Sequence, residues 1–415
     1  MWLCNIVLPE YAEEFALKPT VVEGWLTGML HQMEKKVEIA LCFPIIDLWR
    51  KKDGELNGHK FYSFSYSDYE YSTETEERFA EILNDYQPDI VHIWGTEFPH
   101  TLAMINSCEK MRILDKVLIN IQGLIEPCSQ YYLDHISEEY IDEENELGDS
   151  LRKAQEEFQV RGRYEREALN KVKYVIGRTD WDCAWVKHIN SNIIYYCVGE
   201  ILRDEFYEKR RTWSYEMCEK HSVFVSQAGY AIKGLDYLLR AMPDIIKDYP
   251  DAHVYIAGTN PMVNNPRSGY ITPYGVFLKN IISELNLQDN VSFLGRLNAK
   301  QMIQMYLKAN VFVSCSRIEN SPNSVCEAAI IGTPIVSSYV GGIENLAEKI
   351  TNIYLYQPGV EYMLAFYIKK VFKTDKFAIH SNKILEFMDR QNNMETTWKI
   401  YQELCKKRES EGEDQ

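Results

Sequence analysis

The chain has 415 residues, of which 46% are hydrophobic and 26% charged, and its formal net charge is −16. That length exceeds what one hydrophobic core organises, so two domains are expected, and the acidic balance disfavours bulk attraction to nucleic acid or anionic lipid. The ten cysteines are scattered without a C-x-x-C pair, which argues for reduced thiols in a cytoplasmic protein rather than a disulfide frame or a zinc site.

Read in chain order, Met1–Glu10 has no basic start and predicts a first strand over Asn5–Leu8, not a signal peptide. No apolar run approaches ~18 residues, so no membrane span is expected. Further strands are predicted at Val37–Phe43, Lys60–Ser65, Ile90–Trp94, Val117–Ile121, Tyr174–Gly177 and Ile193–Cys197. Helical periodicity falls at Thr75–Tyr86 and Gln155–Asn170. Between them, residues 138–157 hold nine acids against Arg152 and Lys153, the pattern of a solvated face or loop. The alternation restarts near residue 200. Strands are predicted at Val223–Ser226, His253–Ala257, Val291–Leu294, Val311–Ser314, Ile335–Ser337 and Ile353–Tyr356. Helices are predicted at Gly234–Asp248, Val276–Leu285, Ala299–Lys308 and Ser381–Lys407, ahead of a frayed tail from Arg408. Such alternation means parallel sheets with helices on both faces: an α/β protein of two doubly wound, Rossmann-like domains. The predicted domains are 1–200, 201–380 and a C-terminal stretch 381–415.

Ligands of open α/β sheets bind outside the carboxyl ends of the strands, so the loops there carry the argument. After Val223–Ser226 a glycine-containing loop brings Lys233 to a helix start, where an ammonium and free N–H groups favour phosphate; a surface lysine beside a turn glycine would look the same. After Val291–Leu294, Gly295 permits close approach of a flat base and Arg296 adds charge. After Val311–Ser314 comes Arg317-Ile-Glu-Asn-Ser-Pro-Asn-Ser-Val-Cys-Glu327. Pro322 suits a first helical turn, which would aim the N–H groups of Asn323, Ser324 and Val325 at an anion. Glu319 and Glu327 flank that turn, and carboxylates accept paired hydrogen bonds from sugar hydroxyls. No G-x-G-x-x-G follows a strand and no Walker A lysine motif is present, which argues against dehydrogenase and P-loop chemistry.

These residues resemble glycosyltransferase family 4, a retaining group with the GT-B fold of two domains facing across a cleft. The resemblance rests on Glu319-x7-Glu327, Gly332-Thr-Pro334, Gly341-Gly342-Ile-Glu344, Lys233-Gly234 and Phe293-Leu-Gly295. It is strong over 220–350 and looser over 1–200, and is similar to a branch of bacterial exopolysaccharide and capsule enzymes. It implies an N-terminal acceptor domain, a C-terminal nucleotide-sugar domain, and a last helix that crosses back to the first domain. It further implies Glu327 on the ribose, Glu319 on the donor sugar, Lys233 on the diphosphate, and Gly295 and Arg296 beside the base.

Three positions depart from that pattern. The arginine that usually partners Lys233 is replaced by Gln227 or Ala228. The usual Gly-Gly loop finds its nearest match in Glu23-Gly24-Trp25, which puts Gly24 in the donor set beside a carboxylate that repels diphosphate. The usual histidine after an N-domain strand is Gln122, which can hydrogen-bond a sugar but cannot exchange a proton. On the acceptor side the candidates are the loop residues Glu97 and His100, with His135 nearby, while His92 reads as a core histidine. Asp180-Trp-Asp182 resembles a metal-binding D-x-D, yet helix capping explains both acids, and no metal is expected.

The expected function is transfer of a hexose from a UDP- or GDP-sugar to a hydroxyl of a saccharide or lipid-linked acceptor, in cell-surface polysaccharide synthesis. No other cofactor and no nucleic-acid partner are expected. The protein is expected in the cytoplasm, with peripheral contact at the inner membrane face left open by analogy. The alternatives are a non-catalytic nucleotide-sugar-binding partner subunit and a GT-B nucleotide-sugar epimerase.

Overall fold

The computed structural model describes residues 1–17, 24–45, 52–67, 69–265, 269–377 and 382–413. They form two compact units, each built on one sheet.

The first unit comprises 1–126, 157–203 and 387–415. Its strands are β1 (Trp2–Leu3), β2 (Leu41–Ile45), β3 (Gly54–Leu56), β4 (His59–Ser65), β5 (Val91–Trp94), β6 (Val117–Asn120), β7 (Tyr174–Gly177) and β8 (Ile194–Cys197). Their order is β3-β4-β2-β1-β5-β6-β7-β8. All pairs are parallel except the β3–β4 hairpin, closed by an Asn57-Gly58 turn of the kind that matches strand twist. The predicted strand Asn5–Leu8 is corrected to Trp2–Leu3. Pro9, which has no N–H, opens a 3-10 helix over Pro9–Phe15 instead, and Asn5 therefore sits at the carboxyl end of β1.

Both faces of this sheet are buried. Val91, Ile93, Val117 and Ile119 pack with Phe79, Ile82, Leu83 and Leu102 from two helices, Thr73–Tyr86 and Pro99–Lys110. On the other face Trp2, Trp94 and Leu118 meet Met394, Ile400, Tyr401 and Leu404. Those last residues belong to the helix Arg390–Glu413. The predicted Ser381–Lys407 helix is thus two, Asn382–Phe387 and Arg390–Glu413, and the second continues through most of the tail expected to fray. The Tyr401 hydroxyl holds it to the sheet, accepting from Trp2 Nε1 (2.9 Å) and meeting His92 Nδ1 at 2.6 Å.

The second unit comprises 127–156 and 204–386. Its strands are β9 (Glu219–Val225), β10 (His253–Ala257), β11 (Val291–Gly295), β12 (Ala309–Ser314), β13 (Ile335–Ser338) and β14 (Ile353–Tyr356). They are ordered β11-β10-β9-β12-β13-β14, all parallel. Residues 127–156 were expected inside the first domain. They pack here because the Asp134 carbonyl accepts from Arg317 Nε (2.7 Å) and Tyr237 Oη (3.0 Å), while Asn145 Nδ2 reaches the Ile271 carbonyl (3.0 Å). Two acids of the run are paired locally, Asp142 with Arg152 and Glu144 with Lys153.

Candidate functional site

In the second sheet the connections run outward from β9 to β10 and β11 on one side, and from β12 to β13 and β14 on the other. The switch point lies between β9 and β12, where such folds bind ligands. Two loops meet there. The loop after β9 ends in a 3-10 turn, Ala231–Lys233, and the helix Leu235–Asp248. The loop after β12 leads through Glu319 to the helix Asn323–Ile331.

Their meeting requires glycine. Gly234 has φ +62°, and a Cβ on it would lie 2.0 Å from the Cys315 carbonyl oxygen at the end of β12. Gly341, after β13, has φ +50°, and its Cβ would lie 2.0 Å from the Glu319 carbonyl, which accepts from Gly342 N at 3.0 Å. The Lys-Gly and Gly-Gly turns thus press on the Glu319 loop from both sides.

Lys233 Nζ and Glu319 Oε1 are 2.5 Å apart, with Ser316 Oγ donating to the same oxygen at 2.8 Å. Burial works to strip the proton from Lys233. The Glu319 carboxylate more than offsets this, so the lysine pKa moves up and the ammonium stays charged. Eight residues on, Glu327 is buried, and the Tyr306 hydroxyl donates to its Oε2 (3.0 Å) and to the Ser324 carbonyl (3.1 Å). Tyr306 is fixed by ring contacts to Phe224 (5.1 Å) and Phe312 (5.3 Å). Its own helix, Ala299–Lys308, starts with an Asn298–Gln301 capping box.

Pro322 occupies the N-cap of the helix Asn323–Ile331 rather than its first turn, and no side chain caps that end. This corrects the expected donor set. Val325 N donates to the Pro322 carbonyl (3.1 Å), which leaves the N–H groups of Asn323 and Ser324 as the candidate donors. Gly295 ends β11, and a Cβ there would meet nothing within 4 Å. Arg296 beside it is exposed, its Nε 3.3 Å from Thr259 Oγ1. Of the two residues standing where an arginine was expected, Ala228 is buried and Gln227 is exposed.

One structural anchor of this site was not foreseen. Arg317, first residue of the motif, is fully buried with Asp236 and pairs with it through two bonds of 2.9 and 2.7 Å. Its backbone N–H donates to the Ile232 carbonyl (2.7 Å), so it also holds the turn that presents Lys233. An arginine three residues past an apolar strand, with an acid in the first turn of the helix that follows β9, was the available signal.

The first unit repeats the logic. Its switch point lies between β1 and β5. Asn5, after β1, donates to Glu97 Oε2 (2.8 Å), and Asn5 Oδ1 meets His100 Nε2 (2.8 Å). Gly123 N, after β6, donates to Glu97 Oε1 (2.8 Å). Glu97 and His100, foreseen separately, therefore share one cluster. His100 is not on a loop, however. Pro99 starts a helix there, His100 lies buried in its first turn, and burial lowers its pKa to about 3, leaving the ring neutral. Burial raises the Glu97 pKa. Gln122 is held between Asn120 Oδ1 (2.9 Å) and Arg178, itself paired with buried Glu200 (2.6 Å). Gly24 packs in the first unit, where its Cβ would stand 3.2 Å from the Pro9 ring; its neighbour Glu23 lies outside the described residues. His92 is buried and stacked on Trp94 (4.2 Å). His135 lies in the second unit, edge-on to Tyr237.

The D-x-D pair serves the helix Asp180–Ile189. Thr179 is its N-cap, and Asp182 completes a capping box while accepting from Arg178 N (2.9 Å).

A further buried acid shapes the Gln122 loop. Glu165 accepts from Thr96 Oγ1 (2.7 Å), Ile125 N (3.0 Å) and Glu126 N (3.0 Å). Burial raises its pKa to about 7. An acid whose folded pKa lies above its unfolded one stabilises the fold while protonated, so this contribution is lost as pH rises from about 4.3 to 7. Glu165→Gln has no such proton. In urea melts the balance of stability should move toward the variant by roughly 2 to 3 kcal/mol between pH 5 and 8. Parallel pH profiles for the two proteins would count against a titrating Glu165.

Residues 208–384 match the family model of glycosyl transferases group 1. The matched stretch holds Lys233, Glu319 and Glu327. Among curated relatives, an uncharacterised glycosyltransferase of Methanocaldococcus jannaschii is 32% identical over 148 residues, 35% of this chain and 34% of that protein. A phosphatidylinositol N-acetylglucosaminyltransferase component of Homo sapiens is 28% identical over 185 residues, 43% of this chain and 35% of that protein. Each match spans about a third of the relative's own length. Among solved structures, a sucrose-phosphate synthase of Thermosynechococcus elongatus superposes with a TM-score of 0.70 at 15% identity, covering 97% of this chain and 99% of its own. Anabaena HepE in complex with UDP-glucose gives 0.60 at 13%, covering 99% and 98%. The two Rossmann-like halves are the GT-B fold of these neighbours.

Proposed function

We propose that the protein is a retaining hexosyltransferase that moves a sugar from a UDP- or GDP-sugar to a hydroxyl of a saccharide or lipid-linked acceptor. The observation that carries the reading is the Lys233–Glu319 pair at the switch point of a group 1 domain, with Glu327 anchored one helical segment on. The second unit is the donor half and the first the acceptor half.

Each part has a distinct task. Diphosphate departure builds negative charge, which the Lys233 ammonium and the N–H groups of Asn323 and Ser324 stabilise from fixed positions. Once Lys233 turns to phosphate, the Glu319 carboxylate is released to the hexose hydroxyls. Glu327, held by Tyr306, meets the ribose, and Gly295 and Arg296 border the base. HepE was crystallised with UDP-glucose, which supports a nucleotide-sugar donor for this fold. Asp182 is committed to its helix cap, in keeping with a transferase that needs no divalent cation; turnover abolished by EDTA and restored by Mg²⁺ would refute that part. Among the described residues no helix is long and apolar enough to cross a membrane, so a lipid-linked acceptor would be met from the surface.

Thermal-shift measurement against UDP, GDP, ADP and their sugars tests the donor site. One nucleotide should raise the melting temperature, Glu327→Ala should lose that shift, and Glu319→Ala should keep it while losing turnover. No shift with any nucleotide, or equal effects of the two substitutions, sinks the assignment. A second reading, a nucleotide-sugar-binding subunit without turnover, is favoured by Gln122. Its amide is tied to Asn120 and Arg178 where a proton-exchanging histidine was expected. Transfer of radiolabelled sugar by the purified chain alone excludes it.

A further inference from the structure

Several cations of the first unit are spent on acids. Arg166 pairs with Glu126 (2.7 Å), Lys171 with Glu109 (2.8 Å) and Arg178 with Glu200 (2.6 Å). Arg161 lies on the same helix as Arg166, Leu151–Lys171. It is half-buried, and has no ion pair or hydrogen bond to any described residue. Its guanidinium carbon stands 4.2 Å from the centre of the Phe158 ring and 5.6 Å from that of Phe98. Arg161 is thus a partly desolvated arginine held on rings instead of an acid.

The rings fix where it is. Phe98 follows β5 and Tyr66 follows β4, their centres 5.4 Å apart, and His100 stacks on Phe98 at 5.6 Å. All lie at the carboxyl edge of the sheet, beside the Asn5–Glu97–His100 cluster at the switch point. The Glu97 carboxylate is near enough to feel the Arg161 charge, yet no ion pair joins the two; its oxygens accept from Asn5 Nδ2 and Gly123 N. Aromatic faces hold a guanidinium in place while leaving its N–H fork available for a planar or tetrahedral oxyanion.

We propose that Arg161 is the anion-binding residue of an acceptor subsite in the first unit, so that the acceptor carries a phosphate or carboxylate close to its reacting sugar. This rests on the glycosyl-transfer reading and narrows its acceptor class. A single planar cation among rings suits one oxyanion on a compact ligand. A nucleic acid or a membrane surface would need a series of cations.

The test is calorimetric titration of the full chain with glucose 1-phosphate and with glucose, at low salt, where exposed charge effects are strongest. A second arm uses a detergent-dispersed polyprenyl diphosphate sugar, which separates a lipid-borne anion from a soluble one. Glucose 1-phosphate or the polyprenyl probe should bind more tightly than glucose. Arg161→Gln should weaken that binding roughly 10- to 100-fold, and Arg161→Lys less. Arg163→Gln, an exposed neighbour on the same helix, should match the parent. If neither anionic probe binds more tightly than glucose, or if folded Arg161→Gln binds like the parent, the subsite is wrong. The nucleotide shift, read on the same samples, keeps the two ideas apart. A normal shift without Arg161 dependence overturns the subsite alone, whereas Arg161-dependent binding without any nucleotide shift overturns the transferase reading alone.

Discussion

Arg317→Met will lower the unfolding free energy by about 3 to 5 kcal/mol, the cost of leaving one member of a buried ion pair without its partner. Arg317 and Asp236 are both fully buried. Asp236 also accepts from Tyr274 Oη (2.8 Å), and the guanidinium lies 4.6 Å from the Tyr237 ring centre. Burial opposes the arginine's charge, and Asp236 offsets it, so its pKa moves up. Without the arginine, the Asp236 charge keeps only the Tyr274 hydroxyl as donor in a low-dielectric site. The companion substitution decides the cause. Arg317→Met with Asp236→Leu removes both charges, and part of the lost stability should return, although Tyr274 then loses an acceptor. Urea melts of the parent, both singles and the double give the coupling. A double variant no more stable than the weaker single would mean that the arginine acts through packing, not charge. Because Arg317 also binds the Ala231 and Ile232 carbonyls, the single substitution should weaken nucleotide binding as well.

How far the sequence anticipated this arrangement depends on the range of the contacts. Tyr174–Gly177, His253–Ala257, Ile353–Tyr356 and Ala299–Lys308 have their predicted bounds, because local turn and cap residues delimit them. The candidate site acids were legible for the same reason: Glu319, Pro322 and Glu327 lie within one short stretch. Asn5–Leu8 failed because apolar composition outweighed the plain signal of Pro9, and His100 was placed on a loop although Pro99 marks a helix start. The deeper misses are tertiary. Residues 127–156 leave the first unit for the second through a carbonyl, which has no signature in sequence. The burial of Arg317 depends on Asp236, 81 positions away, and a charged residue read alone looks solvated. Arg161 is the opposite case. It is held on rings and not by an acid, which only the folded arrangement of Phe98 and Phe158 shows.

Lys233→Ala should reduce turnover by roughly 10² to 10³, the loss typical of one fixed donor to transition-state charge. Its effect on UDP binding carries more information. In the free protein the ammonium is already engaged by Glu319 at 2.5 Å, so a diphosphate must take it from that carboxylate. Removing only the lysine leaves Glu319 facing the incoming diphosphate with no cation between them, and the two repel. Removing only the acid frees the lysine. Glu319→Gln should therefore bind UDP at least as tightly as the parent while losing turnover, because the carboxylate is needed by the sugar and not by the nucleotide. Lys233→Ala with Glu319→Gln should bind UDP more tightly than Lys233→Ala alone, although it lacks the same cation. Titration calorimetry with UDP on these four proteins gives the sign of the coupling. Equal affinities for Lys233→Ala and the double variant would show that Glu319 does not compete with the diphosphate, and the exchange of partners at the switch point would have to be abandoned.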